Sequence, residues 1–341
     1  MHDHRARARF PRPDLRTAAG WGRSPRSLTG DPSFERVSRS LWARLPSSAR
    51  TRETTAAHQL VSSAAAESQP FLNLWERAAL LQLHCADGLI VSHLSAAQLW
   101  GLPLSSSPAP WTHGLLGEAT RFRALESRPQ LSYLEHRRNE HSEAMLLHKS
   151  VGLRPVLGPW GAMVSSPAET LLGCMPWLPG WRAVAAVDRM LVTGSSLHGP
   201  LDRLSADSLL KEADGLPAGT RGIARFRRAV GLSAASTWSP METLLRLLVV
   251  RAGFAEPAMN LPVVAQDGSR FVLDLAWPEQ LTALEYNGRV HYEDRKTYGD
   301  EQHRLHLLAD AGWAVRTVVA ADLKEPQRTA ALMHWLRTRL S

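Results

Sequence analysis

The chain has 341 residues, of which 44% are hydrophobic, 21% charged and 7% aromatic, and its formal net charge is +8. That length suggests two domains or three small ones, and the apolar fraction supplies ordinary buried cores, which excludes a wholly disordered chain. No apolar run approaches the ~18 residues of a membrane span, and the Arg- and His-rich start lacks the apolar stretch of a secretory signal. Two cysteines, Cys85 and Cys174, make neither a disulfide framework nor a four-cysteine zinc site. A reduced, cytoplasmic protein is expected.

The charge is unevenly spread. Residues 1–60 hold 12 Arg against 5 Asp and Glu, so +7 of the +8 sits there. Such an Arg/Pro/Ser segment reads as a solvated arm or as a non-specific contact for DNA phosphates. Residues 1–68 are accordingly taken as a basic, largely disordered tail, with Phe34 to Leu45 as a short helix or strand inside it.

From residue 69 the pattern changes. Leu72 to His84 has apolar residues at helical spacing, and Ser95 to Trp100 starts a second helix that Gly101 and Pro103 stop. Leu131 to Leu134 and Leu146 to Leu153 read as strands. Ser165-Ser166-Pro167 caps a further helix, and Trp181 to Leu191 and Leu201 to Leu210 add two more. Thr220 to Val230 is again helical, with Arg221, Arg225 and Arg228 on one face by spacing. That face is a solvated surface or a grip for phosphates. Residues 69–237 form a mixed α+β module on this reading.

Residues 238–341 are the most legible. A helix runs from Ser239-Pro240-Met241-Glu242 to about Arg251. An apolar strand over Asn260 to Ala265 turns at Asp267-Gly268 into Phe271 to Ala276. Trp277 to Gln280 turns the chain into Leu281 to Tyr286, and Asn287-Gly288 ends that strand. A polar helix over Asp294 to Ala311 stops at Gly312, followed by a strand over Trp313 to Val319 and a helix over Pro326 to Leu340. The order predicts an α/β unit.

Two acids interrupt apolar strands there, Asp274 and Glu285. A carboxylate in a buried strand costs several kcal/mol, roughly, unless paired or metal-bound. With the strands antiparallel about the Trp277–Gln280 turn, Asp274 is expected opposite Ala283, with Glu285 on the diagonal of the same face. Two such carboxylates suit Mg²⁺ or Mn²⁺. Glu242 is a third candidate, although Ser239-x-x-Glu242 is also a capping-box signature. His291 lies just past the second acidic strand. Asp294 and Arg304 read first as a salt-bridged helix face, and His303 with His306 lacks the partners of a zinc site.

Ser239-Pro-Met-Glu242, Val272-Leu-Asp-Leu-Ala-Trp-Pro278, Leu284-Glu-Tyr-Asn-Gly-Arg-Val-His291 and Gly312-Trp-Ala-Val315 together resemble the Vsr-like endonuclease domain. That domain belongs to the PD-(D/E)XK restriction-endonuclease-like superfamily, whose core runs αβββαβ. The resemblance covers roughly residues 238–324. It implies that Asp274 and Glu285 hold a metal, that Glu242 is the helix acid, that His291 lies at the site, and that Asp294 and Arg304 are supporting polar positions. The superfamily has a Lys two residues after the second acid, where this chain has Asn287. The zinc-binding cysteines of very-short-patch repair enzymes have no counterpart, so mismatch repair is not implied. Upstream, His93-Leu-Ser-Ala-Ala-Gln-Leu-Trp-Gly-Leu-Pro103 and Met163-Val-Ser-Ser-Pro-Ala-Glu-Thr-Leu-Leu172 resemble the abortive-infection antitoxin-like module. That module can begin with a winged helix and commonly has a basic residue where Glu169 stands.

The expected activity is therefore metal-dependent hydrolysis of DNA in a defence or toxin–antitoxin setting. Asn287 or His291 would orient the attacking water in place of the Lys. DNA and a second copy of the chain are the expected partners. Residues 238–341 hold 12 Lys and Arg against 13 Asp and Glu, a net of −1, so DNA contact falls to Arg221, Arg225, Arg228 or the tail. The rival expectation is a DNA-binding regulator of antitoxin type that keeps the nuclease fold as a scaffold.

Overall fold

The computed structural model describes residues 11–46, 71–85, 88–104, 125–133, 144–193, 204–217, 219–288 and 295–341. Among these residues the chain is a mixed α/β protein with three sheets. No described helix is long and apolar enough to cross a membrane.

Residues 11–46 correct the expectation of a largely disordered tail over 1–68, whose remaining residues lie outside the described ones. Strands β1 (Leu15–Thr17), β2 (Phe34–Arg36) and β3 (Leu41–Arg44) form an antiparallel sheet in the order β1-β3-β2, with helix α1 (Pro25–Thr29) between β1 and β2. Composition concealed a small core in which Leu28 and Trp42 are buried beside Trp21 and Phe34. The arginines cover it rather than dangle. The guanidinium groups of Arg16, Arg23 and Arg36 lie over the Trp21, Phe34 and Trp42 rings at 4.8, 5.3 and 5.8 Å.

The central region begins with α2 (Leu74–His84), which Asn73 and Glu76 start with a full capping box. Strands β4 (Leu89–Val91), β5 (Gln130–Tyr133), β6 (Leu146–Lys149), β7 (Val156–Leu157) and β8 (Met163–Val164) make a mixed sheet in the order β6-β5-β4-β8-β7. Strand β6 ends earlier than its apolar run suggested, because residues after Ser150 leave the ladder. Helices α3 (His93–Leu99) and α4 (Pro167–Cys174) pack beside it, with Ser166 Oγ capping α4. Glu169 is buried in α4. Its carboxylate accepts from Ser150 Oγ at 2.6 Å and from Val151 N at 3.1 Å, and burial raises its pKa. Three more helices follow, α5 (Trp181–Thr193), α6 (Ala206–Asp214) and α7 (Ile223–Gly231). Helix α7 starts after Gly222, so Arg221 lies in the preceding turn rather than on the helix.

The last region contains α8 (Pro240–Arg251), β9 (Ala258–Val264), β10 (Arg270–Trp277), β11 (Thr282–Tyr286), α9 (Arg295–Asp310), β12 (Ala314–Val318), α10 (Ala320–Lys324) and α11 (Pro326–Leu340). The sheet order is β12-β11-β10-β9, antiparallel except for the β11–β12 pair, which the α9 crossover makes parallel. One apolar cluster runs from Trp75 through Val187 of α5 and Phe226 of α7 to Leu244 of α8 and Leu336 of α11. The boundary near residue 237 is therefore crossed by a continuous core. Asp188 of α5 spans it too, 3.7 Å from the Arg246 guanidinium of α8, with both side chains buried.

Candidate functional site

The register of the last sheet decides how its acids meet. Leu275 pairs with Leu284 and Ala276 with Ala283. The ladder ends at Leu275–Leu284, one residue short of Asp274 and Glu285. Its register is shifted by two residues from the expected one, which brings Asp274 level with Glu285 rather than with Ala283. The cause is the turn: Leu281 takes a left-handed conformation with φ 44° and joins Pro278–Gln280 in the loop, so Trp277 pairs with Thr282. At Asp274 the strand also loses its simple alternation. Leu273 and Leu275 flank it, yet they bury in different apolar clusters, whereas residues two apart in a regular strand share a face. The β9–β10 ladder skips one pair here, between Leu273–Leu261 and Leu275–Met259, and the β9 residue at the gap is Asn260, whose φ is 48°. A non-glycine residue at positive φ in mid-strand is strained, and such strain collects where function over-determines the backbone.

Asp274 is half-buried, and Tyr286 N donates to its Oδ2 at 2.8 Å. Burial, and after it the neighbouring Glu242 and Glu285 carboxylates, push its pKa from 3.8 to about 7 against the opposing pulls of that hydrogen bond and of Arg304. Glu285 is buried, and Arg304 of α9 grips both its oxygens, Nη1 to Oε2 at 2.7 Å and Nη2 to Oε1. Arg304 also reaches Glu301 and the Val272 carbonyl. Among the described residues its carboxylate partners are thus Glu285 and Glu301.

Glu242 serves the helix cap and also approaches Asp274. Its N–H donates to Ser239 Oγ at 3.2 Å, the first half of a capping box. Its carboxylate does not return to Ser239. Oε2 instead accepts from Trp238 N at 3.0 Å and from Asn260 Nδ2 at 2.7 Å, close enough to Asp274 to raise its pKa. Asn260 Nδ2 also donates to the Ser236 carbonyl at 2.7 Å. Asn287 lies just past β11, half-buried, and its N–H carries the ladder one residue further by donating to the Val318 carbonyl at 2.9 Å. His291 and Asp294 lie outside the described residues. Arg221, Arg225 and Arg228 are exposed, and Arg225 also donates to the Met175 carbonyl at 2.7 Å, so that side chain partly staples α7 to the core.

Glu242, Asp274, Glu285 and Arg304 are therefore assembled by one helix, two adjacent strands and the crossover helix. Sequence reasoning missed Asn260, which joins β9 to Glu242. The signal was there, since an amide between Met259 and Leu261 interrupts an apolar strand just as the two acids do.

The donor set is all oxygen, which is the chemistry of a hard divalent cation. Three carboxylates against one guanidinium also leave negative charge over for such an ion. Among the described residues, however, no three His, Cys, Asp or Glu side chains are gathered as a preformed ligand set. The residues fit a divalent cation in chemistry and charge, with Glu285 engaged by Arg304.

No family model matches the chain, and no solved structure matches it. It is similar to an uncharacterised protein of Mycobacterium tuberculosis strain CDC 1551 / Oshkosh, 25% identical over 200 residues that cover 58% of this chain and 70% of the relative. An uncharacterised protein of strain H37Rv of the same organism matches to the same extent.

Proposed function

We propose that the chain is a nuclease that hydrolyses phosphodiester bonds of DNA, with Mg²⁺ or Mn²⁺ held by Asp274 and Glu285. The observation that carries this reading is the approach of Glu242 and Glu285, on the neighbouring helix and strand, to a half-buried Asp274, with Arg304 bound to Glu285. Burying a carboxylate beside two others is costly, and such arrangements cluster at functional sites. The α-β-β-β-α-β order of residues 240–318 is also the order that a PD-(D/E)XK core requires, and its assignment to the Vsr-like endonucleases belongs to this proposal.

When bound, the cation supplies Lewis acidity at a phosphate oxygen and a water acidic enough to ionise near neutrality. The chain does the rest. Asp274 is kept in place by the Tyr286 N–H, and Glu242 is fixed by two donors on one oxygen. Asn287 or His291 would orient the attacking water where the superfamily has a Lys. Arg304 balances the charge of Glu285, one of the two residues that would hold the cation. The exposed arginines at 221, 225 and 228 would hold the phosphate backbone.

A second reading rests on Arg304 itself. A bidentate guanidinium on Glu285 suits a silent site in a DNA-binding regulator of antitoxin type, with the α/β unit as scaffold. A supercoiled-plasmid nicking assay with Mg²⁺ and Mn²⁺, beside the double variant Asp274→Ala, Glu285→Ala, separates the two. Metal-dependent nicking lost in the variant supports the nuclease. A folded protein that binds duplex DNA without nicking it supports the regulator.

A further inference from the structure

We propose that Trp238 is a stacking platform for a nucleobase at the edge of the acidic cluster, so that the nucleic acid engaged there is single-stranded or locally unpaired. The proposal rests on the nuclease reading for the class of ligand, and it adds which part of that ligand meets the protein and in what state.

Residues 232–239 link α7 to α8, and Trp238 on this link is 55% exposed. An exposed indole at a frayed loop tip would mean little. Here the backbone is pinned at three points. Ala234 N donates to Asp188 Oδ1 at 2.8 Å, the Ser236 carbonyl accepts from Asn260 Nδ2, and Trp238 N donates to Glu242 Oε2. Thr237, the residue before the indole, is buried, and Ser236 is held at φ 68°. The link is fastened down, and its largest apolar side chain still faces water. Burying that ring is worth far more than a surface position requires. A platform fixed beforehand also loses little conformational entropy on binding.

Charge selects the occupant. The same Glu242 oxygen that holds the Trp238 N–H belongs to the acidic cluster, so a phosphate is repelled from this spot. A base is neutral, offers a π-face to the indole, and can donate exocyclic N–H groups towards a carboxylate. Phosphates are served by the exposed arginines of the preceding turn and helix, Arg221, Arg225 and Arg228, which precede Trp238 by 17, 13 and 10 residues in the chain. In a duplex the base faces are stacked on each other and closed to Trp238, so the ligand must present an unstacked base.

The test uses the full chain and a fluorescein-labelled oligo-dT, with the matching duplex as control, in Ca²⁺ so that binding is read by anisotropy. We expect tighter binding of the single strand than of the duplex. Trp238→Ala should weaken single-strand binding by about tenfold and leave duplex binding unmoved. Trp238→Phe should retain most of the affinity, and Trp238→Leu, which keeps apolar area without a π-face, should lose it. Equal single-strand affinity in wild type and Trp238→Ala overturns the proposal. So does retention by Trp238→Leu, or the absence of oligonucleotide binding, either of which would make the indole a protein-docking surface. The plasmid assay reads the nuclease separately. Trp238-dependent binding without nicking defeats that reading alone, and nicking with Trp238-independent binding defeats this proposal alone.

Discussion

Arg304 closes on Glu285 with both arms of its guanidinium, from the crossover helix onto the strand beside Asp274. A pair this well formed neutralises one of three acids and leaves the other two to each other. It makes Arg304 the internal counter-ion of the cluster, and removing it should be felt in stability before it is felt in chemistry.

Replacing Arg304 by Met leaves Glu285 buried without a partner. Because the Arg304 side chain is 22% exposed, the cost should fall below that of a fully buried pair, at about 2–3 kcal/mol. Urea denaturation in the absence and presence of millimolar Mg²⁺ checks it, and the metal should recover part of the loss in the variant.

Asp274 sets a pH dependence. Its pKa in the folded protein is about 7, raised by burial first, against 3.8 for the free group. The folded chain therefore binds this proton more tightly than the unfolded chain does, and stability falls as pH rises from about 4 through 7. Asp274→Asn removes the penalty. It should be more stable than wild type by about 1–3 kcal/mol at mildly alkaline pH and indistinguishable in acid, while losing any metal-dependent nicking. Asp188, raised by its own burial to about 6, adds to the same slope in both proteins, so the difference between the two curves isolates Asp274.

Asn260 joins strain to a bridge. Its left-handed backbone favours Gly, while its amide ties Glu242 to Ser236. Asn260→Ala should lose both the bridge and the residue type that tolerates φ 48°. Asn260→Gly should lose only the bridge and retain about 1 kcal/mol more stability than the alanine variant. Paired thermal melts read the difference.

A second strained residue starts helix α3 of the central region. His93 has φ 50°, and its ring stacks on His148 with centroids 3.7 Å apart. A Cβ at Gly173 would stand 3.0 Å from that ring. Gly173→Ala should therefore cost about 1–3 kcal/mol by overpacking. Burial, with His148 beside it, lowers the His93 pKa to about 3, so the unfolded chain takes up the proton first and stability is lost as pH falls below about 6.5. Acid titration of His93→Gln should show a shallower loss.

The acids were legible because a carboxylate in a Val/Leu strand has no bland explanation, and Asp274 and Glu285 do come together. Their exact register was not legible, because it depends on whether Leu281 belongs to the turn or the strand, which an apolar residue does not announce. Asn260 carried the same signal as the acids in weaker form. Glu242 combined a cap and a site contact, which a spacing rule cannot separate. The first sheet was hidden for a different reason. Arginine and proline dominate its composition, while four dispersed aromatic and leucine side chains, Trp21, Leu28, Phe34 and Trp42, do the folding.

Asp188 is one carboxylate with three clients. Oδ1 accepts from Ala234 N, at the head of the link that carries Trp238, and Oδ2 accepts from Thr243 Oγ1 and faces Arg246 on α8. The upstream helices thus hold the frame of the acidic cluster from behind, one turn of helix from Glu242. A chain cut near residue 238 would forfeit that anchorage along with its core, so the C-terminal unit is not a cassette that can be lifted out. A displacement of α5 would instead be delivered to the helix acid and the indole together, as a lever moves two linked pins.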